Sequence, residues 1–118
     1  MIFGIGVDLV DIARFEKAIS NTPKLKERLF TAAEIDLSTY SLAARFAAKE
    51  ALMKAVGQAK GLAFQEVTIV KDDNGKPSFS LTGESATTVS NKGIANLHLS
   101  LSHDGDMAIA YVIAERGA

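Results

Sequence analysis

A chain of 118 residues that is 47% hydrophobic, carries a net charge of −1 and contains no cysteine has room for one core but not two. That balance excludes disorder, a disulfide scaffold and thiolate metal sites, and it lacks the basic excess of a general nucleic-acid binder. No apolar run approaches the roughly 20 residues that cross a bilayer, and the opening run, which has no basic start and ends in Asp8, is not a secretory signal; a single cytoplasmic domain over residues 1–118 is expected.

Residues 2–9 read as a strand. Alternation puts Phe3, Ile5, Val7 and Leu9 on one face, and Gly4, Gly6 and Asp8 on the other. The glycine face is bare, so another backbone or a ligand can approach beside Asp8. Asp11 is placed to cap a helix that runs to about Ile19 and ends at Asn21 and Pro23. Thr31, with Glu34 three residues on, has capping-box spacing, which predicts a short helix after it. The main helix spans about 41–56, with Gly57 as its C-terminal cap. Two strands, 67–71 and 78–81, flank Asn74-Gly75, a strong hairpin signal. A weakly helical segment follows at 83–92. Leu97, Leu99 and Leu101 then alternate with His98, Ser100 and Ser102, as in a half-buried strand. Asp104-Gly105 turns the chain into a last, more apolar strand at 107–114. The order β-α-α-α-β-β-α-β-β is that of an α+β domain, a mostly antiparallel sheet packed with a long central helix.

The chemistry concentrates on that helix, in Arg45-Phe46-Ala47-Ala48-Lys49-Glu50-Ala51-Leu52-Met53-Lys54. Residues four apart share a helix face, so Glu50 pairs with Lys54, and Arg45 with Lys49. A carboxylate beside several cations on an alanine-rich helix suits a metal and a phosphorylated ligand. An exposed Glu-to-Lys pair is the ordinary alternative, worth about 0.3–0.5 kcal/mol. Against it, apolar residues cover most of this helix, and a buried Glu50 needs a partner. Asp8 and Asp11 have a plainer reading, as loop and cap residues. His103, at a strand end beside a turn, has one as a residue bonded to backbone.

Three segments in order resemble a known family: Gly4-Ile5-Gly6-Val7-Asp8-Leu9-Val10-Asp11-Ile12, then Arg45-Phe46-Ala47-Ala48-Lys49-Glu50-Ala51 with Lys54-Ala55, then Leu99-Ser100-Leu101-Ser102-His103-Asp104. They are similar to the motifs of holo-acyl-carrier-protein synthase, the small bacterial type of 4′-phosphopantetheinyl transferase. The resemblance implies the half-domain fold of that family. It implies transfer of the phosphopantetheine arm of coenzyme A to a serine hydroxyl of acyl carrier protein, with release of adenosine 3′,5′-bisphosphate, in lipid and fatty acid biosynthesis. It implies Mg²⁺ on Asp8 and Glu50. Lys54 would hold a phosphate oxygen, and Glu50, directly or through a metal-bound water, would deprotonate the serine. Arg45 and His103, with Lys49 beside them, would lie near the coenzyme A phosphates. Larger relatives carry two tandem copies with the site between them, so a single copy implies a homotrimer with sites between subunits.

The carrier is acidic by the same resemblance. Residues 12–28 hold Arg14, Lys17, Lys24, Lys26 and Arg28 against Glu16 and Glu27, a local excess of +3 on a chain of net −1. Such a patch steers an acidic partner, with Leu25, Leu29 and Phe30 as expected apolar anchors. The chain departs from the family pattern in a shorter stretch between Glu34 and Arg45, in Ala44 before the arginine, and in Gly57-Gln58-Ala59-Lys60-Gly61 after Lys54. The competing reading is a non-catalytic α+β module that binds an acidic protein or a nucleotide.

Overall fold

A computed structural model describes all residues, Met1–Ala118. The order is β1 (Ile2–Asp11), α1 (Ile12–Asn21), α2 (Leu25–Leu29), α3 (Thr39–Val56), β2 (Val67–Lys71), β3 (Pro77–Leu81), α4 (Gly83–Asn91), β4 (Ile94–Asp104) and β5 (Met107–Arg116), with a 3-10 turn, Phe64–Glu66, leading into β2. The expected α+β class is what forms. Strands β1–β5–β4 make one antiparallel sheet, and the β2–β3 hairpin makes another.

The central helix stops at its expected cap but starts at Thr39, two residues before the expected 41. The Ser38 side chain accepts the Ser41 N–H, and Gly57 takes the left-handed conformation, φ +90°, that closes a helix with no Cβ penalty. Asp11 likewise caps α1 by accepting the Arg14 N–H at 3.0 Å.

Helix α3 lies against the glycine face of β1. A Cβ on Gly4 would sit 2.1 Å from the Ala55 carbonyl oxygen, and one on Gly6 would sit 1.9 Å from that of Ala51. The bare face therefore receives a helix backbone rather than a ligand. On the opposing surfaces Ala47, Ala51 and Ala55 of α3 and Ala108, Ala110 and Ala114 of β5 are all buried. Small residues on both sides bring strand and helix unusually close, and this sets Glu50 and Lys54 beside Asp8.

The other face of the sheet is apolar and open. Ile5, Val7 and Leu9 pair with Ile113, Tyr111 and Ile109, and these in turn with His98, Ser100 and Ser102. Leu9 is 60% exposed, Ile5 55% and Tyr111 43%.

The short helix expected after Thr31 does not form; residues 32–36 make turns instead. Half of the capping box is present, since Glu34 accepts the Thr31 N–H at 3.1 Å. Its other oxygen is drawn inward to the Ile69 N–H at 2.9 Å, and tertiary partners override the local signal. The second short helix lies earlier, at Leu25–Leu29.

Candidate active site

Strand β1 places Asp8 in register with Ala110, in the body of the sheet, with its side chain toward α3. Lys54 reaches across from α3. Its Nζ donates to the Val7 carbonyl at 2.8 Å and to Asp8 Oδ1 at 3.2 Å. Partial burial raises the Glu50 carboxyl above the usual carboxylate range, the negative charge of Asp8 raises it further, and Lys54 opposes both. Asp8, Glu50 and Lys54 are thus brought together.

Asp8 and Glu50 line one cavity of about 600 Å³. Its apolar wall includes Phe15, Phe46 and Phe64, with Phe15–Phe46 and Phe46–Phe64 ring centroids 5.6 and 6.2 Å apart. Arg14 stands at its edge. On the far side of Glu50 a shallower cavity of about 400 Å³ is bounded by Lys54, Gly57, Gln58 and Ala59. Glu50 stands at the junction of the two.

Arg45 and His103 line a different cavity of about 390 Å³, together with Tyr40, Ser41, Lys71 and Ser102. No residue of it is shared with the Asp8–Glu50 cavity. Arg45 Nη1 donates to the Ser41 carbonyl at 3.4 Å. Its Nε is buried without a hydrogen bond, 4.0 Å from Glu34 Oε2. The His103 ring meets Tyr40 edge-on at 6.0 Å. Sequence reasoning missed Tyr40 and Lys71. The only signal for Lys71 was its place at the strand end before the Asn74-Gly75 turn, and Tyr40 had none beyond the first turn of α3.

Lys49 corrects an expectation. It shares a helix face with Arg45, but that face turns inward to Glu34. Lys49 is 0% exposed and Glu34 1%. The ammonium donates to Glu34 Oε1 at 2.7 Å, to the Leu29 carbonyl at 2.8 Å and to the Phe64 carbonyl at 3.2 Å. All three of its donors are used, so none is left for a coenzyme phosphate. Burial lowers its pKa, and the bond to Glu34 pulls it back up.

Of the basic residues of segment 12–28, Arg14, Lys17, Lys24 and Arg28 are exposed, and Lys26 is half-buried. Two of the expected apolar anchors belong to the core instead. Leu29 and Phe30 are buried, and Phe30 packs edge-on against Phe15 at 6.0 Å. Leu25 remains half-exposed on the cavity wall.

Residues 4–112 match the model of the 4′-phosphopantetheinyl transferase superfamily. The holo-[acyl-carrier-protein] synthase of Clavibacter michiganensis subsp. michiganensis is 49% identical over 118 residues, all of this chain and 99% of the relative. The crystal structure of the synthase from Neisseria meningitidis has a TM-score of 0.92 at 33% identity, covering 98% of this chain and 100% of that one. That of the Bacillus anthracis synthase, in complex with CoA (3′,5′-ADP), has a TM-score of 0.82 at 35% identity and covers 99% of both chains. The chain therefore belongs to the holo-[acyl-carrier-protein] synthase family of phosphopantetheinyl transferases.

Proposed function

We propose that this chain moves the 4′-phosphopantetheine arm of coenzyme A onto a serine hydroxyl of an apo-acyl carrier protein, with Mg²⁺, and releases adenosine 3′,5′-bisphosphate. The observation that carries this reading is the meeting of Asp8, Glu50 and Lys54 at one spot, although more than 40 positions separate Asp8 from the other two. The coenzyme A held by the Bacillus anthracis and Helicobacter pylori relatives supports the substrate.

The donor set fits Mg²⁺. Asp8 and Glu50 offer hard oxygens, and the charge of Asp8 weighs on Glu50, a repulsion that a divalent cation would relieve. No third acidic, histidine or cysteine side chain completes a cluster, so phosphate oxygens and water would fill the remaining positions, as is common for this ion. When bound, the ion would neutralise charge on the diphosphate.

The chain's own residues account for the rest. Glu50, at the junction of the two cavities, takes the serine proton. The serine Oγ bonds to the pantetheine-side phosphorus. The bond from that phosphorus to the bridging oxygen breaks, and the electron pair leaves with adenosine 3′,5′-bisphosphate. Lys54 stands one turn from Glu50 and offsets the charge that develops there. Arg45 and His103 hold phosphate groups of coenzyme A. Arg14, Lys17, Lys24, Lys26 and Arg28 steer the acidic carrier toward the cavity that Arg14 borders.

Two features support a homotrimer. The apolar outer face of β1 and β5 is large for a lone chain in water. The Asp8–Glu50 and Arg45–His103 cavities are also separate within one chain, so a single coenzyme A spans both only if one comes from a neighbour.

The test is incubation with apo-carrier protein, coenzyme A and Mg²⁺, read by intact mass. The expected result is a carrier gaining one phosphopantetheine, with none gained in EDTA. A complex with no covalent change would overturn the reading.

A further inference from the structure

The cations Lys24, Lys26 and Arg28 sit on or beside α2, a helix of only five residues. A helix that short does not hold itself together in water, so its placement comes from outside. Its last carbonyls have no partners within the helix. Two of them, and that of Phe30, which caps the helix, are met by side chains from elsewhere. Gln65 Nε2 donates to the Glu27 carbonyl, and also to the Phe30 carbonyl at 2.7 Å. Lys49 Nζ donates to the Leu29 carbonyl at 2.8 Å. The two donors are themselves tied together, because Lys49 also bonds the carbonyl of Phe64, the neighbour of Gln65.

Lys49 is the residue before Glu50 on α3. Leu25 and Leu29 of α2 line the same cavity as Glu50. A shift of α2 therefore changes the width of that cavity and the distance from the surface cations to the reacting carboxylate. Glu34 holds the ammonium in place at 2.7 Å, and its other oxygen is fixed by the Ile69 N–H of β2. The Lys49 half of the clamp thus rests on the core, whereas Gln65 holds α2 from the exposed side.

We propose that Lys49 and Gln65 are positioning residues that fix α2 against the catalytic helix and so set the alignment of the incoming carrier protein with Glu50. The inference rests on the transferase reading above. Lys49 is fully buried, and the Gln65 amide is turned to the backbone carbonyls of Glu27 and Phe30. Their effect runs through α2, and it falls on the carrier rather than on coenzyme A.

Gln65 supplies the cleaner test, because it is exposed and Gln65→Leu keeps its bulk while deleting both donors. Lys49→Met leaves the Glu34 carboxylate buried without its ammonium and endangers the fold; Gln65→Leu keeps the question answerable. The expected result is a KM for apo-carrier raised about tenfold, with kcat at saturating carrier and KM for coenzyme A within twofold of wild type. Amide hydrogen exchange at 25–30 should quicken in the same variant. A purely structural role would instead lower the active fraction and leave both KM values alone. Faster exchange with an unmoved carrier KM overturns the proposal, as does exchange that does not change. An equal rise in both KM values overturns it too. Wild-type protein that charges no carrier removes the transferase reading and this inference with it, whereas normal wild-type charging with an unmoved carrier KM removes the inference alone.

Discussion

At Glu50 burial and the neighbouring Asp8 both favour the protonated form. The folded chain therefore holds that proton more tightly than the unfolded chain does. Stability contributed by this group is greatest at low pH. It is lost as pH rises from the ordinary carboxylate pKa through the raised folded value. Glu50→Gln should thus melt higher than wild type at neutral pH, and the gain should vanish near about pH 4. The same variant should lose about 10²–10⁴ in kcat with its circular dichroism unchanged. A variant with no gain in Tm and a near-normal rate would remove both the electrostatic and the catalytic assignment. Much of this site was legible in the chain. The i, i+4 spacing of Glu50 and Lys54 and the glycine-cleared strand beside Asp8 pointed to it. Lys49 was not legible. Helical spacing groups it with Arg45, but only the tertiary structure shows that their shared face is closed by Glu34.

Between elements, the decisive contact is β1 on α3. Gly6→Ala puts a methyl 1.9 Å from the Ala51 carbonyl oxygen, where neither backbone has freedom to yield. The expected cost is ~3 kcal/mol or more, readable as a lower urea midpoint. Any folded fraction should show weakened transfer, because Asp8 can no longer approach Lys54. An unchanged midpoint would mean that the strand relaxes away without cost. The strands, hairpin and long helix announced themselves through period, turn residues and caps. The second short helix did not. Thr31 and Glu34 have the spacing of a helix start, but Glu34 answers to Lys49 and Ile69, which lie 15 and 35 positions away. A local motif carries no record of such partners.

For the whole molecule, the proposed trimer gives the open sheet face the task of assembly. Tyr111 stands in the middle of that face, between Val7 and Ser100. Under that proposal wild type has a solution mass of three times 12.5 kDa, and Tyr111→Arg should reduce it to a single copy and abolish transfer, as read by light scattering and the mass assay together. An active single copy would show that one chain carries a complete site. Alternation in β1 identified its two faces from the sequence, but it did not say which one meets the helix. The apolar side turned out to be the outer one, which inverts the usual pattern of a lone amphipathic strand.

Directed evolution of this enzyme should leave a clear footprint. The stripe formed by Gly4, Gly6, Ala47, Ala51 and Ala55 admits no added volume, so surviving libraries should be nearly devoid of changes there. Ala18, Leu25 and Phe64 border open space. New preferences among carriers should be selected at those positions, leaving the strand–helix seam untouched.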